Sequence, residues 1–128
     1  MYLLDTCALI WWSLDPKKLS VKAQEAAHHM LQTGGFVSSI SIWEIGIKLK
    51  RKKLSIGLPL NQYLKGLEKT NIIEFLPVSL EVWMENLNLD WAHNDPADRT
   101  IVASAKLWNL KIITSDNVIR NFYEDTIW

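Results

Sequence analysis

Cysteine is almost absent from this chain, with Cys7 the single one among 128 residues. No disulfide can therefore form within the chain, which is typical of a protein of the reducing cytoplasm. No apolar run approaches the ~20 residues that a membrane span requires. The chain opens directly on a predicted strand rather than on a basic and apolar leader. We therefore expect a cytoplasmic protein with no membrane association.

Glycine and proline are also scarce, with 5 and 4 residues, and there are no repeats or low-complexity tracts. A composition of 48% hydrophobic and 22% charged residues is typical of a folded globule. We expect one domain that spans residues 1–128. Fourteen basic and fourteen acidic side chains cancel. Any attraction to nucleic acid must therefore come from a local patch of charge.

Apolar runs without alternation predict strands that are buried on both faces, and these runs alternate with helical patterns. The predicted strands are 2–4, 36–38, 72–78 and 110–114, with a short edge strand at 126–128. The predicted helices are 6–12, 21–32, 39–49, 60–69, one after Ser79, one from Pro96, and 117–123. This order predicts an α/β fold with a central parallel sheet of four to five strands and right-handed crossovers.

Four acids stand where predicted strands end and helices begin: Asp5, Glu44, Asp98 and Asp116. In a parallel sheet with right-handed crossovers, these junctions meet at one edge, where α/β proteins bind their ligands. Each acid also has a structural interpretation. Asp5 is a favourable N-cap, and Asp116 repeats its arrangement between a strand and a helix. Ser41 and Glu44 have capping-box spacing. Asp98 could be protonated, or it could pair with Arg99 or Lys48.

Asp98 has the strongest functional signal because it heads an inward stripe with Ile101, Val102 and Ala105. A carboxylate in such a place is costly unless it is paired or binds a metal. Asp95, followed by Pro96, is interpreted as the structural cap of the same helix.

Four crowded carboxylates need a proton or a cation, since two unit charges ~4 Å apart repel by roughly 4 kcal/mol at an effective dielectric of 20. An all-oxygen set favours Mg²⁺ or Mn²⁺ over Zn²⁺. Such sites activate water for attack on a phosphodiester. We expect this chemistry to leave a 5′-phosphate and a 3′-hydroxyl. The residues alone do not choose between RNA and DNA.

The dense basic cluster comprises Lys48, Lys50, Arg51, Lys52 and Lys53. Cations at a helix C-terminus complement the helix dipole, and they can equally bind phosphates, with an affinity that falls with salt. The seven tryptophans are either core residues or a surface that stacks on unpaired bases.

Four segments resemble the PIN domain in order and spacing, and more narrowly the VapC-type toxins of bacterial toxin–antitoxin pairs. They are LLDTCALIWW at 3–12, SISIWEIGIK at 39–48, NDPADRTIVASA at 94–105 and IITSD at 112–116. The resemblance implies a three-layer α/β/α fold and a metal-dependent endoribonuclease that cleaves single-stranded RNA. It also implies a cognate antitoxin that blocks the site, and a homodimer.

The resemblance implies roles for the four acids. Asp5 and Asp98 would be the principal metal ligands, Asp116 a further or water-mediated ligand, and Glu44 a ligand or a base that orients water. The basic residues, Lys48 and Arg51 among them, would hold the RNA backbone.

Four neighbouring residues complete the predictions that follow from the resemblance. Close relatives often carry His where this chain has Cys7, so we expect Cys7 to be a small packed residue without a catalytic role. Ser115 could hydrogen-bond a ligand water, and His93 and Arg99 are candidates for phosphate contact.

Two alternatives remain open. An Asp5-nucleophile phosphatase would need a second acid two residues on, where this chain has Cys7. In a non-catalytic binding module the acids would only cap helices.

Overall fold

The structure is a computed structural model that describes residues 1–128. The strands are β1 (Tyr2–Leu4), β2 (Gly35–Ser38), β3 (Ile73–Leu76), β4 (Lys111–Ile113) and β5 (Thr126–Ile127). The helices are α1 (Thr6–Leu14), α2 (Val21–Thr33), α3 (Ser39–Lys50), α4 (Leu60–Lys69), α5 (Leu80–Asn88), α6 (Pro96–Trp108) and α7 (Asn117–Phe122), with a short 3₁₀ turn at Pro16–Lys18. None of these helices is long and apolar enough to cross a membrane.

All five strands are parallel and lie in the order β3-β2-β1-β4-β5. The chain runs outward from β1 to β3 and then returns to the opposite side of β1 to form β4. The strand order therefore reverses between the central strand, β1, and its neighbour β4. In open parallel sheets, a crevice forms at the carboxyl ends of such strands.

Successive strand residues face opposite layers, which gives the three-layer α/β/α arrangement that the resemblance implies. Leu4 of β1 and Ile113 of β4 pack with the apolar faces of α1, α2, α3 and α4. The preceding residues, Leu3 and Ile112, pack with those of α5, α6 and α7. The two sets of helices cover both faces of the sheet, so the central strands are apolar on both sides.

The predicted capping box in α3 is wrong. The helix begins earlier, at Ser39, and the Ser38 hydroxyl caps it by accepting from the Ile40 N–H at 3.2 Å. Ser41 is fully buried and accepts a hydrogen bond from the Thr6 hydroxyl at 2.9 Å. Glu44 therefore lies in the second turn, and its position is not set by a cap.

Candidate active site

A polar cleft of about 280 Å³ lies at the carboxyl ends of β1 and β4. All four acids predicted from the strand and helix junctions line it. The full lining is Asp5, Thr6, Cys7, Glu44, Lys48, Asp95, Asp98, Ser115 and Asp116. Residues that are more than 100 positions apart in the sequence thus share one surface of the folded protein.

Asp5 forms the floor of the cleft and is only 6% exposed. Its Oδ1 accepts from the Ala8 N–H at 2.8 Å, so it caps α1. Its Oδ2 accepts from the Thr114 hydroxyl. Burial raises the pKa of Asp5 to about 6, these two hydrogen bonds oppose the rise, and the charges of Asp98 and Asp116 add to it. The capping role and a role in the cleft are therefore compatible.

Thr114 is a component of the site that the sequence analysis missed. Its fully buried hydroxyl donates to Asp5 and accepts from the Asp116 N–H at 3.0 Å. The hydroxyl thereby joins the acid after β1 to the acid after β4. The available signal was a threonine between an apolar strand and Asp116.

Asp116 caps α7, and its Oδ1 accepts from the Val118 N–H at 2.7 Å. Asp95 likewise caps α6 by accepting from the Asp98 N–H at 3.0 Å, as the sequence predicts. Asp95 also lines the cleft, so it adds a fifth carboxylate that the sequence interpretation treated as structural only.

Asp98 lies in the first turn of α6, and its side chain is 20% exposed. Its partner is His93, whose Nε2 lies 2.8 Å from Asp98 Oδ2. An ionised carboxylate only accepts, so the imidazole nitrogen is the donor. Burial raises the pKa of Asp98, the hydrogen bond from His93 lowers it, and the charges of Asp95 and Asp116 raise it further.

Glu44 enters the cleft from α3, with its side chain 18% exposed. Lys48 lies one turn further along the helix, and its Nζ is 3.9 Å from Glu44 Oε2. Lys48 is the only cationic residue that lines the acidic cleft. It is therefore placed to meet an anion that enters.

Cys7 is exposed and lines the cleft, so the expectation of a packed residue is wrong. Residue 7 lies within the capped first turn of α1, and its side chain faces the open side of the cleft instead of the core. The pKa of its thiol is raised, first by partial desolvation and then by the charge of Asp5, while Lys48 opposes the rise. Ser115 lines the same cleft, beside the fourth acid.

Arg99 points away from the cleft and holds the loop between α5 and α6. Its guanidinium makes five hydrogen bonds of 2.5–3.3 Å. The acceptors are Asn86 Oδ1 and the backbone carbonyls of Asn86, Leu89, Trp91 and His93. These bonds occupy the donor capacity of the side chain. In this structure Arg99 therefore binds the loop that carries His93, and its side chain is not placed for the predicted contact with phosphate.

The ligand atoms that the cleft offers suit a hard divalent cation. Its acidic ligand candidates offer only oxygen atoms, and carboxylate oxygens are the ligands that Mg²⁺ and Mn²⁺ prefer. In this conformation, however, no three acidic, histidine or cysteine side chains are placed to hold one metal ion. Each oxygen of Asp5 accepts one hydrogen bond, from Ala8 or Thr114, and one oxygen of Asp98 accepts one from His93. Each of these oxygens keeps a second lone pair for a cation.

The fold and the cleft together define a class of protein, a parallel α/β protein with carboxylates gathered where the strand order reverses. A model of the PIN-domain family matches residues 2–125. The chain belongs to this family, which confirms the resemblance seen in the sequence.

Individual relatives agree with this assignment. The chain is 28% identical to ribonuclease VapC22 of Mycobacterium tuberculosis over 130 residues, which cover 98% of this chain and 97% of that protein. Its fold is similar to a chain of a toxin–antitoxin complex from Klebsiella pneumoniae, with a TM-score of 0.65, 19% identity and coverage of 100% and 97% of the two chains. A chain of VapBC2 from Rickettsia felis, bound to a DNA fragment from its promoter, gives a TM-score of 0.66, 14% identity and coverage of 99% and 98%.

Proposed function

We propose that this protein is a divalent-metal-dependent endoribonuclease that cleaves single-stranded RNA, and that it is the toxin of a toxin–antitoxin pair. One observation carries the proposal. Asp5, Glu44, Asp98 and Asp116 come from four distant stretches and line one cleft in a chain of the PIN-domain family.

The electrostatics of the cleft support a cation as its ligand. Burial and the neighbouring charges of Asp98 and Asp116 make ionisation of Asp5 unfavourable. A divalent cation would offset both costs. Asp5, Asp98 and Asp116 would hold it, with Glu44 as a further ligand or a base that orients water.

Mg²⁺ or Mn²⁺ bound there would supply activated water and charge stabilisation for phosphodiester hydrolysis. The residues of the chain orient the substrate. Lys48, whose side chain is 40% exposed at the cleft, would bind a phosphate oxygen, and Ser115 would hydrogen-bond a water in the cleft. The products would carry a 5′-phosphate and a 3′-hydroxyl.

The partners follow from the same proposal. The structural neighbours include chains of toxin–antitoxin complexes, which supports a cognate antitoxin that covers the cleft. A homodimer and action in the cytoplasm complete the proposal.

A non-catalytic binding module is the second candidate. Its specific support is that Asp5, Asp95 and Asp116 all cap helices, while no three acids are placed to share a metal in this conformation. Such a module would bind RNA without cleaving it. The phosphatase alternative is weaker, because the position two residues after Asp5 is Cys7.

Cleavage of a 3′-labelled single-stranded RNA that begins with a 5′-hydroxyl, by the purified chain, tests the proposal. We expect cleavage with Mg²⁺ or Mn²⁺, none with excess EDTA, and products that a 5′-monophosphate-dependent exonuclease degrades. Asp98→Asn should retain the fold and lose about 100-fold or more in rate, because stabilisation by a metal ion is worth several kcal/mol.

Asp90→Asn is the matched control, since Asp90 is exposed and lies outside the cleft. It should cleave as fast as the unaltered chain. Cleavage that persists in EDTA, or an Asp98→Asn variant with the full rate, would overturn the proposal. RNA binding without any cleavage would favour the binding module.

A further inference from the structure

A second cleft, of about 220 Å³, adjoins the acidic one along α3. The two clefts share Glu44, Lys48 and Asp95. The second cleft continues past Trp43, Arg51 and Lys53 and is bounded on its other side by Pro96 and the start of α6. A chain that enters the acidic cleft along α3 must therefore cross these residues.

Trp43 differs from the tryptophans that pack in the core. It is 54% exposed, the largest exposed fraction among the seven tryptophans, and it directly precedes Glu44 in the sequence. Positions 43, 47 and 51 repeat every four residues, so Trp43, Ile47 and Arg51 lie along one face of the α3 end and span about 12 Å. An indole ring and a guanidinium thus stand two turns apart on the wall of the second cleft.

The outer part of the second cleft favours a polyanion, because its two carboxylates lie at the junction with the acidic cleft. Arg51 and Lys53 are exposed, and no carboxylate lies within ion-pair distance of either. Lys48, at the junction of the clefts, approaches Glu44 only to 3.9 Å. A solvated helix end explains the number of cations, but not an exposed indole that lines the same cleft.

We propose that this second cleft is a binding subsite for single-stranded RNA, in which Trp43 stacks on an unpaired base and Arg51 and Lys53 bind the adjoining phosphates. The combination of an aromatic platform with a basic groove is the physical basis of single-strand recognition. A duplex has no free base face to offer, so the subsite selects unpaired RNA. The inference rests on the proposed function, because it assigns a substrate-binding role beside that site.

A double-mutant cycle on RNA affinity tests the stacking. Binding of a fluorescein-labelled 12-nucleotide RNA is measured by anisotropy in the Asp98→Asn background, in which we expect cleavage to be slower by about 100-fold or more. We expect Trp43→Ala to weaken binding about tenfold, in the range known for base–aromatic stacking. Replacing one nucleotide by an abasic one should cause the same loss, and combining the two changes should add little.

Matched variants distinguish the loss of base stacking from a general effect of replacing an exposed tryptophan. Trp43→Phe should restore most of the affinity, because it keeps an aromatic face. Trp108→Ala should leave binding unchanged, since Trp108 is also exposed, at 43%, but lies at the far end of α6.

The salt dependence of binding tests the phosphate contacts. Arg51→Gln and Lys53→Gln should each reduce the slope of log affinity against log salt by about 0.7, the value for one phosphate contact on a single strand. Lys65→Gln removes an exposed cation on α4 and should leave the slope unchanged.

The outcomes distinguish this inference from the function on which it rests. An unaltered chain that cleaves RNA, with Trp43→Ala binding and cleaving equally well, overturns the subsite alone. A chain that never cleaves but binds RNA through Trp43 overturns the nuclease and supports the subsite.

Trp43 also borders an apolar groove lined by Ile42, Leu60 and Leu64. If Trp43→Ala weakens only a protein complex, that surface belongs to a protein partner and the subsite is overturned.

Discussion

At the scale of single residues, Asp5 shows a conflict between stability and function. Its carboxylate is almost completely buried, and its pKa is raised to about 6, mainly by that burial. The hydrogen bonds from Thr114 and Ala8 offset only part of the cost. An ionised Asp5 therefore destabilises the metal-free protein at neutral pH.

The pH dependence of stability follows from this shift. Between the ordinary pKa of 3.8 and about 6, the folded chain keeps a proton on Asp5 that the unfolded chain has lost. The free energy of unfolding therefore falls as the pH rises through this window, by about 3 kcal/mol in all. Asp5→Asn cannot ionise, so at pH 7.5 the metal-free variant should be more stable than the unaltered chain. Urea unfolding at pH 4 and pH 7.5 measures the effect.

Asp90→Asn is the control, because Asp90 is exposed and its substitution should not change stability in this way. Excess Mg²⁺ should stabilise the unaltered chain more than Asp5→Asn, since a ligand stabilises only the state that binds it. An Asp5→Asn variant that is less stable than the unaltered chain at pH 7.5 would contradict the interpretation of Asp5.

The candidate acids could be predicted from the sequence, because strand ends and helix starts are local patterns and parallel topology brings them together. Their partners could not. The pairing of His93 with Asp98 depends on how an irregular loop folds. The expectation that Cys7 is packed was wrong, because residue type does not indicate which side of the first helical turn faces the cleft. Their catalytic roles remain predictions.

At the scale of elements, the loop between α5 and α6 depends on one side chain. Arg99 binds four backbone carbonyls and the Asn86 side chain across this irregular segment. Trp91 of the same loop stacks on Phe122 of α7, with ring centroids 4.5 Å apart. These contacts fix the loop that presents His93 to Asp98.

Replacing Arg99 should therefore destabilise this part of the fold. Arg99→Met keeps the apolar stem but leaves several carbonyls without a partner, and we expect a loss of about 3 kcal/mol. The stability of Arg99→Lys should lie between those of the unaltered chain and Arg99→Met, because an ammonium cannot reproduce the five donors of a guanidinium. The urea midpoint and hydrogen exchange of the amides at 89–94 measure the effect.

Arg120→Met provides the comparison, since Arg120 is exposed on α7 and should contribute little. If Arg99→Met unfolds at the same urea concentration as Arg120→Met, the loop does not depend on Arg99. The sequence analysis placed Arg99 beside the third acid but could not show that it stabilises the loop. Its acceptors are mainly backbone carbonyls, which every residue has, so the sequence does not indicate which of them Arg99 contacts.

The elements themselves were predicted well, since apolar runs, serine caps and Asp95-Pro96 are strong local signals. The strand ends were less accurate. The third strand was predicted at 72–78 and is Ile73–Leu76, and the fourth was predicted at 110–114 and is Lys111–Ile113. An apolar run records burial, which continues beyond the paired backbone.

At the scale of the whole molecule, the order of the strands creates the cleft. The chain visits β1, β2 and β3 on one side and then returns to place β4 beside β1. The sequence predicted a parallel sheet and a common edge for the acids, and the structure agrees. It could not give the strand order, because pairing between distant strands is decided by packing of the whole core.

The central claim is that Asp5, Asp98 and Asp116 share one divalent cation. Titration of Mn²⁺ into the metal-free protein, followed by electron paramagnetic resonance, tests it without relying on RNA cleavage. We predict one class of tight sites in the unaltered chain and in Asp90→Asn, with affinity at least about tenfold weaker in Asp5→Asn, Asp98→Asn and Asp116→Asn. Equal Mn²⁺ affinity in the unaltered chain and all three cleft variants would contradict the claim.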